Sequence, residues 1–250
     1  MNDRFSMILR TLSAGPATRM YLYRTFFRKP GDQDKYVSRQ MFERAMKKLE
    51  NRGYLSRYEF SPPNLSVKNA ITCYVLTEAG VNFVCNEFAM ERDFVRCAIP
   101  KNSEYKHELL VSDVIRILHK EAFENKAYKI DYIYDDRMMK RQAPPRKGLF
   151  YPDLRVRIVS KLRPGITFNI EVDAGEKGRG YWLQKMRSWA DTTLVLTLTE
   201  DRTNMLYEYT VKANLKTQNG FAVYYDFGLG GLMSTRFKWA PQKAMARVNI

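Results

Sequence analysis

Two neighbouring apolar stretches that carry acidic residues constrain this chain more than any other feature. Residues 150–159 and 166–173 alternate apolar and polar side chains, which is the period-two pattern of β-strands. Asp153 lies in the first stretch, and Glu171 and Asp173 lie in the second. Adjacent strands would bring the three carboxylates together, and oxygen ligands on rigid strands suit Mg²⁺ or Mn²⁺. The sequence therefore predicts a metal site at Asp153, Glu171 and Asp173.

A nearby lysine leaves the chemistry of these carboxylates open. Clustered carboxylates repel one another unless a cation balances them, and Lys185 follows on a predicted helix. In one interpretation, Asp153, Glu171 and Lys185 are catalytic residues that hydrolyse a phosphodiester with a divalent metal. In a second, the cluster is a relict site that shapes a groove facing DNA. In a third, the carboxylates cap strand ends and pair with Lys185 or Arg187.

Composition indicates the class of partner. The formal net charge of +15 and the pI near 9.7 favour a polyanion, and nucleic acid is the usual one. The three cysteines show no paired spacing that would indicate a disulfide framework or a zinc site. No apolar run approaches the roughly 20 residues that span a bilayer. We therefore expect a cytoplasmic protein that does not enter the membrane.

The first hundred residues show helical periodicity followed by a pair of strands. Helices are predicted over residues 5–12, 21–26 and 39–52, and strands over residues 54–60 and 71–76. Ser38 is a favourable N-cap for the third helix. That helix is expected to bury Met41, Ala45 and Leu49.

The opposite side of the third helix displays basic and amide side chains. They are Arg39, Gln40, Arg44, Lys47, Lys48 and Asn51. This order of elements, with the pattern Tyr74-x-Leu76-Thr77-x-x-Gly80, resembles winged helix-turn-helix domains. The resemblance implies that the third helix enters the major groove of double-stranded DNA, with Lys68 on the wing near phosphate. An ordinary solvated helix face and a protein-docking winged helix are the alternatives.

The region from residue 104 to residue 230 follows a different order. Helices are predicted over residues 104–125, 181–190 and 202–215, and strands over residues 128–134, 150–159, 167–173, 194–198 and 221–227. Helix, three strands, helix, strand resembles the αβββαβ core of the PD-(D/E)xK nuclease-like fold. The resemblance places Asp153 and Glu171 at its acidic positions, but Asp173 stands where that fold has a lysine. Lys185 would then have to supply the positive charge.

Basic and aromatic residues flank the carboxylate strands. The segment 137–147 is predicted to be a loop whose Arg141, Arg146 and Lys147 contact the DNA backbone. Residues 231–250 are predicted to form a basic tail. Three aromatic side chains are expected either to stack on bases or to pack in the core: Tyr151, Trp182 and Trp189.

Taken together, the chain resembles the replication-relaxation family of plasmid and mobile-element proteins. Besides the winged helix, the motifs that carry the resemblance are His107-Glu108-Leu109, Pro152-Asp153, Glu171-Val172-Asp173-Ala174-Gly175 and Lys185. The resemblance implies a two-domain protein of the α+β and α/β classes. A winged helix-turn-helix would occupy residues 1–92, a nuclease-like domain residues 104–230, and the basic tail residues 231–250.

The same resemblance implies a role in plasmid replication initiation, relaxation or conjugative mobilisation. Double-stranded DNA would be the ligand, and a relaxase or a replication protein the partner. Because Asp173 replaces the lysine, a non-catalytic accessory factor is favoured. The alternatives are a metal-dependent DNA endonuclease or nickase and a protein-docking adaptor in a transfer complex. The sequence leaves open whether the protein forms a homodimer.

Overall fold

The structure has a mixed α/β fold that divides into two compact units, residues 1–113 and residues 114–250. It is a computed structural model. It describes residues 3–29, 32–60, 70–124, 128–143, 150–160, 164–175, 177–215 and 217–240. Within these ranges, no helix combines the length and the apolar character needed to cross a membrane.

The first unit begins with helices and short strands in alternation. Its elements are α1 (Asp3–Leu12), β1 (Ala17–Thr18), α2 (Arg19–Phe26), β2 (Arg28–Lys29), β3 (Asp32–Tyr36), α3 (Arg39–Asn51), β4 (Leu55–Phe60), β5 (Ile71–Leu76) and α4 (Glu78–Phe88). The core combines the predicted stripe of α1 with side chains of the later elements, and Phe27 after α2 joins it. The paired strands β2 and β3 were not predicted.

The third helix has the predicted cap but buries a different stripe. The Ser38 hydroxyl accepts a hydrogen bond from the Met41 backbone N–H, at 3.4 Å. The buried residues are Phe42, Met46 and Leu49. The prediction that Met41 is buried was wrong, because its side chain is 51% exposed. Met41 lies one position before Phe42, so its side chain points towards the solvent face of the helix. The buried stripe, which follows the 3.6-residue period, runs through Phe42 instead.

The predicted strand pair is present, and it belongs to a larger sheet. β4 pairs antiparallel with β5 from Leu55↔Leu76 to Phe60↔Ile71. β1 pairs antiparallel with the other edge of β5, so the sheet has the order β1-β5-β4 rather than two strands. The extra strand is only two residues long, which is too short for a period to be visible in the sequence.

The Leu76-Thr77-x-x-Gly80 pattern holds the start of α4 against Tyr54, which lies between α3 and β4. The Thr77 hydroxyl accepts from the Gly80 backbone N–H at 3.2 Å, and the Thr77 N–H donates to the Tyr54 carbonyl at 3.1 Å. A Cβ at Gly80 would overlap the Tyr54 carbonyl oxygen. Glycine is required here by close packing of two backbones, not by an unusual φ.

A long helix leads from the first unit into the second, which contains a six-stranded sheet. The elements are α5 (Tyr105–Glu124), β6 (Lys129–Asp135), α6 (Asp136–Gln142), β7 (Leu154–Val159), β8 (Ile166–Asp173), α7 (Arg179–Arg187), β9 (Thr193–Thr197), α8 (Glu200–Lys212), β10 (Asn219–Val223), α9 (Tyr224–Ser234) and β11 (Lys238–Ala240). The strand order is β11-β10-β9-β8-β7-β6. β6, β7 and β8 are antiparallel neighbours, whereas β8, β9 and β10 run parallel.

Two predictions for this unit were wrong in detail. The strand predicted over residues 150–159 begins only at Leu154, because Pro152 has no N–H to donate to a ladder. The predicted loop 137–147 begins as helix α6, whose N-cap Asp135 accepts from the Met138 N–H at 2.9 Å. Residues 144–149 lie outside the described part of the chain, and Arg146 and Lys147 are among them.

The end of the described chain also differs from the prediction. The strand predicted over residues 221–227 ends at Val223, and the chain turns directly into α9. The predicted tail contains the end of α9 and then β11, which pairs antiparallel with β10. A period of two cannot be told from a helical period over so few aromatic and apolar residues. Residues 241–250 lie outside the described ranges.

Candidate functional site

The acidic residues lie at one edge of the six-stranded sheet. Glu171 and Asp173 are at the carboxyl end of β8, and two residues apart they share one face. β7 runs antiparallel to β8 with Leu154 opposite Ile170, so Asp153 arrives at the same edge just before β7 begins. The sheet topology therefore brings Asp153, Glu171 and Asp173 to the same end of β7 and β8.

Asp153 and Glu171 are joined through the backbone. The Asp153 N–H donates to Oε2 of Glu171 at 3.3 Å, and the Val172 N–H donates to Oδ2 of Asp153 at 2.7 Å. Both bonds continue the β7–β8 ladder beyond its last paired residues, with carboxylates in place of carbonyl oxygens. Each carboxylate thus has one oxygen engaged by a backbone N–H.

Lys185 is the counter-charge of Glu171. Its Nζ donates to Oε1 of Glu171, and only 8% of the lysine side chain and 4% of the glutamate side chain are exposed. Burial lowers the pKa of Lys185, but the negative charges of Glu171 and Asp153 outweigh it and hold that pKa above its ordinary value. The ammonium is therefore charged over the whole physiological range.

Aromatic rings complete the surroundings of the lysine. Nζ of Lys185 lies 5.7 Å from the ring centroid of Tyr181, 5.9 Å from that of Trp182 and 5.5 Å from that of Trp189. These rings come from the same helix, α7, or from the two residues after it. They stabilise the cation through their π-faces and exclude water from it.

Asp173 has a different partner, which sequence reasoning missed. Arg202, in the first turn of α8, donates through Nε to Oδ2 of Asp173. The other carboxylate oxygen accepts from the Gly175 N–H at 3.0 Å. Arg202 also donates to the Lys177 carbonyl at 2.5 Å and so ties the turn after β8 to α8. The position of Arg202 in the sequence could have indicated this contact. Arg202 lies at the start of α8, which follows β9, and the carboxyl end of β9 lies beside that of β8.

The arrangement separates the predicted metal ligands into two ion pairs. Glu171 faces Lys185, whereas Asp173 faces Arg202. Within the described ranges, no group of three or more histidine, cysteine or acidic side chains is placed to hold a metal ion. A cation would have to compete with Lys185 for Glu171 and with a backbone N–H for Asp153. The donor set thus fits Mg²⁺ or Mn²⁺ poorly in this arrangement, and metal binding stays a prediction.

The basic face predicted on α3 is exposed in the structure. Every predicted contact residue of this helix has an exposed side chain: Arg39, Gln40, Arg44, Lys47, Lys48 and Asn51. Two acids lie between these residues in sequence: Glu43 is paired with Arg19 of α2, and Glu50 lies near enough to Arg57 of β4 to contribute to the raised pKa of that arginine. Lys48 lies 5.7 Å above the ring of Phe5, which orients its ammonium beside α1. We call these six side chains together the α3 face.

The remaining predicted contact residues have varied positions. Lys68 lies outside the described ranges. Arg57, on β4 of the same hairpin, forms an exposed ion pair with Glu59 at 2.6 Å, and this hydrogen bond raises the pKa of Arg57. Arg141 is exposed in the last turn of α6. Glu108, part of the family motif, pairs with Arg96 inside the first unit.

The predicted aromatic residues divide between core and surface. Trp182 is 2% exposed and belongs to the core of the second unit. Trp189 is buried too, but its Nε1 donates to the Phe150 carbonyl at 2.8 Å and its ring lines an open groove. Tyr151 lines the same groove, and its hydroxyl donates to the Ala143 carbonyl.

Comparison with known proteins places the chain in a family. Residues 12–204 match the replication-relaxation family. Among solved structures, one similar chain is Bacillus subtilis PadR, crystallised in complex with operator DNA. It is 15% identical, with 51% of this chain and 73% of the PadR chain covered and a TM-score of 0.28. No curated protein matches the chain. Because the family match spans well over half of the sequence, this protein belongs to the replication-relaxation family.

Proposed function

We propose that this protein binds double-stranded DNA of a plasmid or mobile element through the α3 face. The observation that carries the proposal is the exposed row of four basic and two amide side chains on α3. Of the two acids of α3, Glu43 is neutralised by Arg19, and Glu50 contributes to the raised pKa of Arg57 on β4. Arg, Gln and Asn read base edges in the major groove, and Lys contacts phosphate. Membership of the replication-relaxation family supports a role on DNA.

The order of elements in the first unit supports a winged helix-turn-helix as the reader. α2 and α3 form a helix pair, and the β4–β5 hairpin after α3 stands where a wing would be. β1 joins that hairpin through β5. In such a domain the second helix of the pair enters the major groove, which assigns that position to α3.

The order of elements in the second unit supports a PD-(D/E)xK-like domain, and its ion pairs support the loss of catalysis. Helix α5, strands β6 to β8, helix α7 and strand β9 follow the αβββαβ order, with α6 inserted between β6 and β7. The two carboxylates on β8 are each held by a cation of the protein itself. We therefore propose an accessory factor in replication initiation, relaxation or mobilisation, which presents DNA to a relaxase or a replication protein.

A salt titration of DNA binding tests the proposal. Fluorescence anisotropy with a labelled duplex would compare the wild type with Arg44→Ala/Lys47→Ala. We expect weaker binding and a salt slope smaller by about one for each lost phosphate contact. The control Lys120→Ala/Lys212→Ala removes the same charge from exposed helix positions elsewhere. Equal affinity and slope for the wild type and the α3 variant would remove α3 from the interface.

A magnesium-dependent endodeoxyribonuclease is the second candidate function. The observation that favours it is the convergence of Asp153, Glu171 and Lys185 at one sheet edge. Supercoiled plasmid incubated with the protein and Mg²⁺ or Mn²⁺ decides between the two. Nicking by the wild type that is lost in Asp153→Ala would replace the accessory role, whereas intact plasmid with both proteins supports it.

A further inference from the structure

The second unit has an open groove that neither ion pair uses. Its volume is about 540 Å³, which is within the usual range of small-ligand sites. Its lining includes the aromatic side chains of Tyr132, Tyr134, Phe150, Tyr151 and Trp189 and the guanidinium of Arg155. Pro152, the residue before Asp153, also lines the groove.

The sheet register shows which strand residues lie side by side at the groove. Tyr134, Arg155, Asn169 and Thr193 face one another across β6, β7, β8 and β9, so they form one row on a single face. Helix α8 packs on β9 and β10, and side chains of α7 and α8 share a core with Val195 of β9 and Phe221 of β10. On β6 and β7, Tyr134 and Arg155 of this row line the groove together with Met139 of α6 and with Trp189 after α7.

The groove presents flat aromatic surfaces in fixed positions. The rings of Tyr132 and Tyr134 on β6 stack on each other with centroids 4.3 Å apart and planes at 11°. Across the groove, the Trp189 indole is held by its hydrogen bond to the Phe150 carbonyl. Phe150 in turn packs edge-to-face on Tyr181, at 5.6 Å between ring centroids. Planar rings held in place are the surfaces on which unpaired bases stack.

Polar groups lie among these rings. Arg155 pairs with Asp191 at 2.8 Å, and about 43% of the arginine side chain stays exposed. Asn169 is 3% exposed and contributes an amide to the lining. An amide and a guanidinium can hydrogen-bond to base edges or phosphate, which a purely apolar ligand would not need. The second unit carries 24 Lys and Arg against 14 Asp and Glu, a net charge of +10 (24 − 14) that favours a polyanion.

We propose that this groove binds single-stranded DNA by stacking an unpaired base on the half-buried Tyr132–Tyr134 pair, with the buried Trp189 forming part of the groove wall. The basic charge of the unit attracts the backbone, the two tyrosine rings hold the base, and the exposed part of Arg155 contacts its edge. The inference deepens the proposed role on DNA but uses a surface other than the α3 face. A protein that engages both duplex and unpaired strand would be suited to an origin while it is being opened.

Anisotropy with single-stranded probes tests the groove on the full chain. The first probe is a labelled twelve-nucleotide oligothymidylate, and the second is a strand of equal length and charge whose central nucleotides are abasic. We expect the wild type to bind oligothymidylate about tenfold more tightly than the abasic strand, because one stacked base accounts for about that factor. This comparison needs no variant and so does not depend on the folding of one.

Variants then locate the binding. Tyr132→Ala/Tyr134→Ala should bind oligothymidylate about tenfold more weakly, whereas Tyr132→Phe/Tyr134→Phe should stay within about twofold because the rings remain. Tyr225→Ala removes an exposed tyrosine of α9 and should leave affinity unchanged. Equal wild-type affinity for the two probes, or full affinity in the alanine variant, would overturn the inference.

The two proposals fail separately. Arg44→Ala/Lys47→Ala should lose duplex affinity and keep oligothymidylate affinity. Duplex binding without base-dependent single-strand binding would leave the function in place and remove the groove. Base-dependent single-strand binding, together with duplex binding that the α3 variant does not weaken, would keep the groove and remove the α3 face from the proposed function.

Discussion

The Nζ of Lys185 donates a hydrogen bond to Oε1 of Glu171, and more than nine-tenths of each side chain is buried. The lysine comes from α7 and the glutamate from β8. This contact connects the crossover helix to the strand before it. It also neutralises a carboxylate that was predicted from the sequence to bind a metal ion.

Removing the lysine alone should destabilise the protein strongly. We expect Lys185→Met to lower the free energy of unfolding by about 3–5 kcal/mol, because it leaves the Glu171 carboxylate buried without a partner. Urea denaturation measures this. Lys212→Met breaks an exposed pair with Glu208 and should cause no measurable change. If Lys185→Met/Glu171→Gln were no more stable than the single variant, the buried charge would not be the cause.

The pH dependence of that difference follows from the raised pKa of Lys185. Unfolded lysine loses its proton near pH 10.5, and the folded group loses it at higher pH. The stabilisation is therefore complete below that unfolded value and declines as pH rises through the folded pKa. The stability difference between wild type and Lys185→Met should be constant from pH 7 to pH 9 and shrink in strong alkali. Unfolding curves across that range that already converge by pH 9 would contradict it.

Arg202 should matter for the turn after β8. We expect Arg202→Gln to lower the free energy of unfolding by about 2 kcal/mol, because the buried Asp173 carboxylate loses its cation and keeps the hydrogen bond from the Gly175 N–H. Asp173→Asn should recover part of this loss in the double variant. Thermal unfolding of the three variants measures the coupling. Additive losses would mean that the two side chains do not act as a pair.

Gly80 should not accept a side chain. Gly80→Ala is expected to cost about 1–3 kcal/mol, because the new Cβ would overlap the Tyr54 carbonyl oxygen and push α4 away from it. Gly180 is a matched control in the first turn of α7. It has no neighbouring atom within 4 Å, so alanine there should be neutral or slightly stabilising. Equal stability of the two variants by urea denaturation would show that the Tyr54 contact relaxes easily.

Arg19 should affect DNA binding through Glu43. Arg19→Ala frees a carboxylate on the α3 face, and one added repulsion of about 1 kcal/mol would weaken duplex binding about fivefold. In the background of Glu43→Ala, the same arginine substitution should have a much smaller effect. Anisotropy with a labelled duplex at low salt measures both. A similar loss with and without Glu43 would indicate that Arg19 contacts the DNA itself.

Particular residues show how far the sequence could predict the structure. The cap at Ser38 and the hairpin of β4 and β5 were predicted because hydrogen bonding and side-chain period are local properties. The helix α6 was missed because the prolines at residues 144 and 145 made the whole basic segment look irregular. Met41 was predicted to be buried because consecutive positions on an amphipathic helix differ by only a fraction of a turn. A shift of one position in the predicted stripe therefore exchanges Met41 for Phe42.

The sequence by itself determined the amphipathic helices, the alternating strands and the basic face of α3, since each depends on residues close together in the chain. Only the tertiary structure decided which charges meet. Lys185 is fourteen residues from Glu171 and Arg202 is twenty-nine from Asp173, and parallel strands with crossover helices bring both cations to one sheet edge. Such pairing depends on the direction and order of strands, which local side-chain patterns do not encode.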